Sequence, residues 1–164
     1  MLKDKMQEAL NEQINKEIYS SYLYLAMSAA FEDKSLPGLA HWMRVQAQEE
    51  WQHALKIYKY IVERGGSVKL KAIDGPPSDF DSPLSMFEQA YEHEKKVTGM
   101  INNLMDQAVS DKDYATQSFL KWFVDEQVEE EDAARGIVDK LQMVGDSSNG
   151  LFMMDRALAA RGSE

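Results

Sequence analysis

Apolar residues recur every three or four positions along four long stretches of the chain, the spacing that gives a helix one buried face. The first runs from about Lys3 to Phe31, with a stripe of Leu10, Ile14, Glu17, Ser21, Tyr24 and Phe31. The second ends at Arg64 and carries Leu39, Met43, Gln46, Glu50, His53, Ile57 and Tyr60. The third runs from Ser82-Pro83 to about Val109 through Phe87, Tyr91, Glu94, Ile101 and Met105. The fourth covers about Asp113 to Val144 through Leu120, Phe123, Gln127, Glu130, Ala134, Ile137 and Leu141. A short fifth helix is predicted from roughly Asn149 to Ala160. Ser35 and Ser82 are read as caps, each followed by a proline suited to a first helical turn.

The breaks between stretches set the topology. Those near residues 35 and 111 are short, so each joins antiparallel neighbours. Between the two hairpins lie 18 residues, Gly65 to Ser82. Fully extended they reach about 60 Å, and a 26-residue helix is about 39 Å long. The connection can therefore run the length of a bundle and make the second and third helices parallel. Val68, Leu70, Ile73 and Phe80 are expected to pack it down, since disordered linkers are poor in such residues. The fold class is all-α: one domain over residues 1–164, a four-helix bundle with a long crossover and a short C-terminal helix. Leu151, Met154 and Leu158 share a face of that last helix.

Polar residues interrupt the apolar stripes at matched depths. Glu17, Glu50 and His53 map onto Glu94, Gln127 and Glu130 when moved by 77 positions. Counted from the hairpin turns at 35 and 111, all six lie 15 to 19 residues away, at mid-bundle. Each sits on an inward stripe, and Glu50 and His53 share a face at i, i+3. Unpaired carboxylates in a core cost several kcal/mol each. Arg44, Lys56 and Lys121 fall on other faces, which leaves protonation or bound cations as the compensation. Mixed carboxylate and imidazole donors suit iron better than calcium. So many carboxylates favour two adjacent cations bridged by Glu50.

Composition narrows the chemistry further. The chain has no cysteine, which excludes thiolate metal sites and cysteine nucleophiles and fits a reducing compartment, so a cytoplasmic location is expected. Its net charge of -10 makes nucleic acid a poor partner and cations good ones. No apolar run approaches the about 18 residues of a membrane span, and no signal peptide is visible.

On these residues the chain resembles the prokaryotic non-haem ferritins over its whole length, the fifth helix included. It departs from the Glu-x-x-His pattern of related di-iron proteins on the fourth helix, where Gln127-x-x-Glu130 stands. The resemblance implies a ferroxidase centre and, for the face of Leu151, Met154 and Leu158, contact with other copies of the chain. Glu17, Glu50 and His53 would hold a first iron, and Glu50, Glu94 and Glu130 a second, with Gln127 nearby. It also implies a further site from Glu49, Glu126 and Glu129, and a tyrosine, Tyr24, beside the centre. Without the family, Glu126 and Glu129 belong to a solvated acidic face and Tyr24 to the core. Trp122 is read as core packing, and His41 and His93 as surface or interface residues. Trp51 occupies the position of the haem methionine of bacterioferritins, so no haem is expected.

The implied function is oxidation of Fe(II) by dioxygen or peroxide and storage of the Fe(III) mineral in a hollow homo-oligomer of 24 subunits. The Gln at 127 suits a site that passes iron on. A di-iron oxidoreductase that stores no iron, and a helical interaction module, are the alternatives.

Overall fold

The computed structural model describes residues 1–162. Its helices are α1 (Asp4–Asp33), α2 (Pro37–Glu63), α3 (Pro83–Ser110), α4 (Tyr114–Val144) and α5 (Ser148–Leu158). These lie within a few residues of the stretches predicted by periodicity. α1 packs along α2, and α3 along α4. Lys3, at the start of α1, bonds Asp111 at the end of α3, and Arg64, at the end of α2, bonds Asp113 at the start of α4. One end of the bundle thus gathers the ends of α2 and α3, which makes these two helices parallel.

Helix ends follow local chemistry. After α1, α2 and α3 the chain takes a left-handed residue, Ser35 (φ 59°), Gly65 (φ 71°) and Lys112 (φ 54°). In each case the next amide reaches back to a carbonyl five residues earlier, as in Leu36 N to Phe31 O. This closure satisfies carbonyls that the helix leaves open. Ser35 is therefore committed to ending α1 and does not cap α2, contrary to its sequence reading. The cap of α2 comes from α5: Asp155 Oδ1 accepts from the amides of Gly38 (2.8 Å) and Leu39 (3.0 Å). Ser82, Asp113 and Ser147 cap α3, α4 and α5 with their own side chains.

The crossover runs along α1. Gln7, Asn11 and Asn15, one turn apart, meet its backbone. Gln7 accepts from Ser67 N (2.8 Å), Asn11 donates to Ser67 O (3.0 Å) and accepts from Lys69 N (2.8 Å), and Asn15 lies 3.4 Å from Lys71 N. The apolar anchoring expected of this segment is only partial. Val68 and Phe80 pack on the bundle, whereas Leu70 is exposed.

α5 also differs from expectation. Met154 is buried in the chain's own core, with Leu151 and Leu158 packed beside it. The large exposed apolar residues of α5 are instead Phe152 and Met153. The core divides into two clusters. One is built around Phe31, Met43 and Phe87, the other around Leu10, Ile57 and Phe123. The polar layer at mid-bundle belongs to neither cluster.

Candidate metal centre

All six groups of the repeated pattern are buried: Glu17, Glu50, His53, Glu94, Gln127 and Glu130. They come from the four long helices because their spacing from each hairpin turn is nearly equal. Glu50 and His53 face one way since i, i+3 positions on a helix are neighbours. Ligand atoms of Glu17, Glu50 and His53 lie within 4.8 Å of one another, as do those of Glu50, Glu94 and Glu130. The two groups share Glu50. A third, His53, Glu126 and Glu130, adjoins them.

His53 Nδ1 stands 3.4 Å from a Glu50 oxygen and 3.7 Å from Glu17 Oε2, and its Nε2 is 3.9 Å from Glu126. Burial works against a charged imidazole, but Glu17 and Glu50 overcome it and raise its pKa to about 11. For the carboxylates, burial acts in the same direction as their mutual repulsion. Glu50 is pushed well above the carboxylate range by burial and by Glu94. Burial raises Glu94 to about 7 against the hydrogen bonds of Tyr24 and Gln127. It raises Glu130 to about 8, with Glu94 adding to the effect. Held without a cation, the layer retains protons at neutral pH.

Within the layer, Glu17 presents an oxygen that no donor reaches. Among the described residues, Glu17 Oε2 is a buried acceptor without a hydrogen bond, while Glu17 Oε1 accepts from Gln13 (2.7 Å). A buried carboxylate oxygen left so, facing an imidazole nitrogen, is the arrangement a cation completes. Oxygen-rich donors with one imidazole fit a borderline-hard transition metal.

Gln127 turns its amide nitrogen inward, donating to the Glu94 carboxylate, the Glu94 carbonyl and Thr98 Oγ1, each at 3.2 Å. It thereby steadies a carboxylate of the layer. Tyr24 is buried and its hydroxyl donates to Glu94 Oε1, so it is at once core and neighbour of the layer. Of the three extra acids, Glu49 and Glu126 line one cavity and Glu129 lies apart. Glu126 stands beside His53, Glu49 pairs with Arg161 at 2.6 Å, and Glu129 is exposed and belongs to none of the three groups.

His93 and Trp122 differ from their sequence reading. His93 is largely buried, with Nε2 2.7 Å from Ser20 Oγ and its ring against Tyr19 and Tyr24; burial lowers its pKa to about 4. His41 is half-buried and bonds the carbonyl of Arg161 at 2.7 Å. Trp122 is partly exposed, edge-on to His53 with Lys56 Nζ 3.8 Å above its ring, so it rims the site instead of filling the core. Two residues had no assigned role. Gln46 donates to Glu50 Oε1 (3.1 Å) and Glu130 Oε2 (2.6 Å), and Arg161 supplies a cation near the layer. Gln46 had been visible on the inward stripe, while Arg161 lies beyond every periodic stretch.

A Ferritin-like domain family model matches residues 7–144. The chain is 48% identical to a bacterial non-haem ferritin of Bacteroides fragilis over 98% of this chain and all of that one. It is 43% identical to a bacterial non-haem ferritin of Campylobacter jejuni, over 95% of this chain and 93% of that one. A structure of Archaeoglobus fulgidus ferritin engineered to a closed form superposes with a TM-score of 0.99 at 50% identity, covering both chains fully. The open-pore ferritin of that archaeon gives 0.97 at 51% identity, over 98% of each chain. With its family model spanning the bundle and its relatives matched nearly end to end, the chain belongs to the ferritin family.

Proposed function

We propose that the chain is one ferritin-like domain acting as a ferroxidase of an iron-storage shell. Fe(II) is its substrate. The observation that carries this is the pair of ligand groups sharing Glu50, Glu17–Glu50–His53 and Glu50–Glu94–Glu130, buried together at mid-bundle. Two Fe(II) ions held side by side would each give an electron to dioxygen or peroxide, and the Fe(III) product would pass on as mineral. The charged layer, unfavourable by itself, becomes favourable once two cations occupy it. Gln127 supplies a neutral amide where a second Glu-x-x-His would supply charge, which supports transfer of iron over permanent retention.

The assembly proposed with this reading is a hollow homo-oligomer of 24 subunits. The outer faces of α1 and α2 support it, with Tyr22, Leu25, Trp51, Leu55, Tyr58 and Val62 exposed in the single chain. The absence of cysteine fits a cytoplasmic location. Among the described residues no helix is long and apolar enough to cross a membrane.

Glu50→Ala and His53→Ala should each slow Fe(II) oxidation at least about 100-fold, since loss of even an outer partner of a ligand costs 10- to 100-fold. Stopped-flow absorbance after mixing apoprotein with Fe(II) in air measures this, and light scattering checks that both variants still form the large particle. Parental rates in both variants would overturn the assignment.

A further inference from the structure

Arg161, the last basic residue of the chain, lies just beyond α5 and reaches back to α2. Its guanidinium stacks over Trp42 at 4.2 Å and donates to the Trp42 carbonyl (3.2 Å), Gln46 Oε1 (3.0 Å) and Glu49 Oε2 (2.6 Å). Its own carbonyl bonds His41 Nε2 at 2.7 Å. The C-terminal segment is thus tied to α2 through both its backbone and its side chain.

Two consequences follow from donor chemistry. A guanidinium has only donors, so Gln46 must offer Arg161 its oxygen. The amide is then polarised: its NH2 faces inward and donates to Glu50 and Glu130 together. Glu49, for its part, lines a cavity of about 440 Å³ with His53, Gln52, Trp122 and Glu126. An ion that moves off the centre past His53 enters this cavity and meets Glu126 and Glu49. Glu49, however, already holds a cation.

We propose that Arg161 is an internal counter-cation of the centre, a positioning residue that occupies Glu49 and orients Gln46, so that a metal ion must compete with the segment carrying Arg161 for Glu49. This rests on the reading of the polar layer as a metal centre. Displacement sacrifices a charge-assisted hydrogen bond that is only partly exposed, and removing that competition should tighten an ion at Glu49 about tenfold.

The test is anaerobic calorimetric titration of the assembled apoprotein with Zn(II), a redox-inert probe. Parent protein should bind two ions per subunit tightly and a further ion weakly. In Arg161→Gln two ions should still bind and the further ion should bind about tenfold tighter, whereas Arg161→Lys should stay near the parent. The effect must run through Glu49. The double variant Glu49→Gln/Arg161→Gln should therefore bind no tighter than Glu49→Gln alone. In the parent itself, hydrogen–deuterium exchange in the peptide carrying Arg161 should rise as the further ion binds and not before. Equal further-ion affinity in parent and Arg161→Gln, tightening that survives Glu49→Gln, or unchanged exchange at Arg161 would overturn the inference while leaving the two-ion centre standing. A parent that binds no tight pair would overturn both.

Discussion

Four carboxylates and one imidazole in a single buried layer make opposing demands, and the pKa values of Glu94, Glu130 and His53 record how these are met without metal. Glu94 and Glu130 rise from 4.5 to about 7 and about 8, chiefly through burial. The folded chain therefore binds these protons more tightly than the unfolded chain. Their stabilising contribution is complete below about pH 4.5 and is lost as pH rises through 7 and 8. His53, raised from 6.5 to about 11, contributes fully below 6.5 and loses that contribution progressively as pH rises from 6.5 through 11. Metal-free protein should accordingly show a melting temperature that falls between pH 5 and pH 8. Loading with Zn(II) should flatten the slope, because bound carboxylates need no proton. Calorimetric scans of chelator-treated and Zn(II)-loaded protein measure both; a metal-free melting temperature that is flat or rises over this window contradicts the account. The layer itself was legible because helical period and distance from the turns fixed both face and depth. Gln46 was not, since a glutamine on an apolar stripe carries no sign of whether its amide meets a carboxylate or solvent. Arg161 was not either, for its partners lie over a hundred residues away.

At the level of elements, the sequence recorded where helices run better than what closes their ends. A serine before a proline reads as a cap, yet Ser35 takes a left-handed conformation that ends α1. The cap it was expected to provide comes from Asp155, 117 residues away from Gly38, by a contact that no local pattern encodes. The same contact explains Gly38. A Cβ there would lie 1.7 Å from the carbonyl oxygen of Asp155, so α5 can approach α2 only over a glycine. Asp155→Ala should lower the stability of the metal-free protein by about 1 kcal/mol, the usual worth of a cap. Gly38→Ala should cost more, since backbone meets the new methyl and α5 must shift. Urea unfolding of both variants measures the order; a Gly38→Ala loss smaller than that of Asp155→Ala would show that α5 docks loosely. The apolar face of α5 pointed correctly to packing, but not to the partner. The surface it covers, on α2 and α4, exists only once the helices are assembled.

Across the whole molecule, the arrangement of two hairpins joined by a long crossover could be read from chain reach alone, because 18 residues span a bundle and short turns do not. The means of holding that crossover could not. Amide side chains of α1 pair with its backbone, beside Val68 and Phe80 that pack on the bundle. The finished fold places an apolar cluster on either side of one charged layer, so ligands from four helices converge without depending on a loop. The central claim is that this layer holds two iron ions bridged by Glu50. Crystals of the assembled protein loaded with Fe(II) under anaerobic conditions, measured at the iron absorption edge, test it directly. The account predicts two anomalous peaks per subunit, one among Glu17, Glu50 and His53 and one among Glu50, Glu94 and Glu130. Iron bound only outside the layer, with the buried carboxylates still bonded to Gln46, Tyr24 and Gln127, would contradict it.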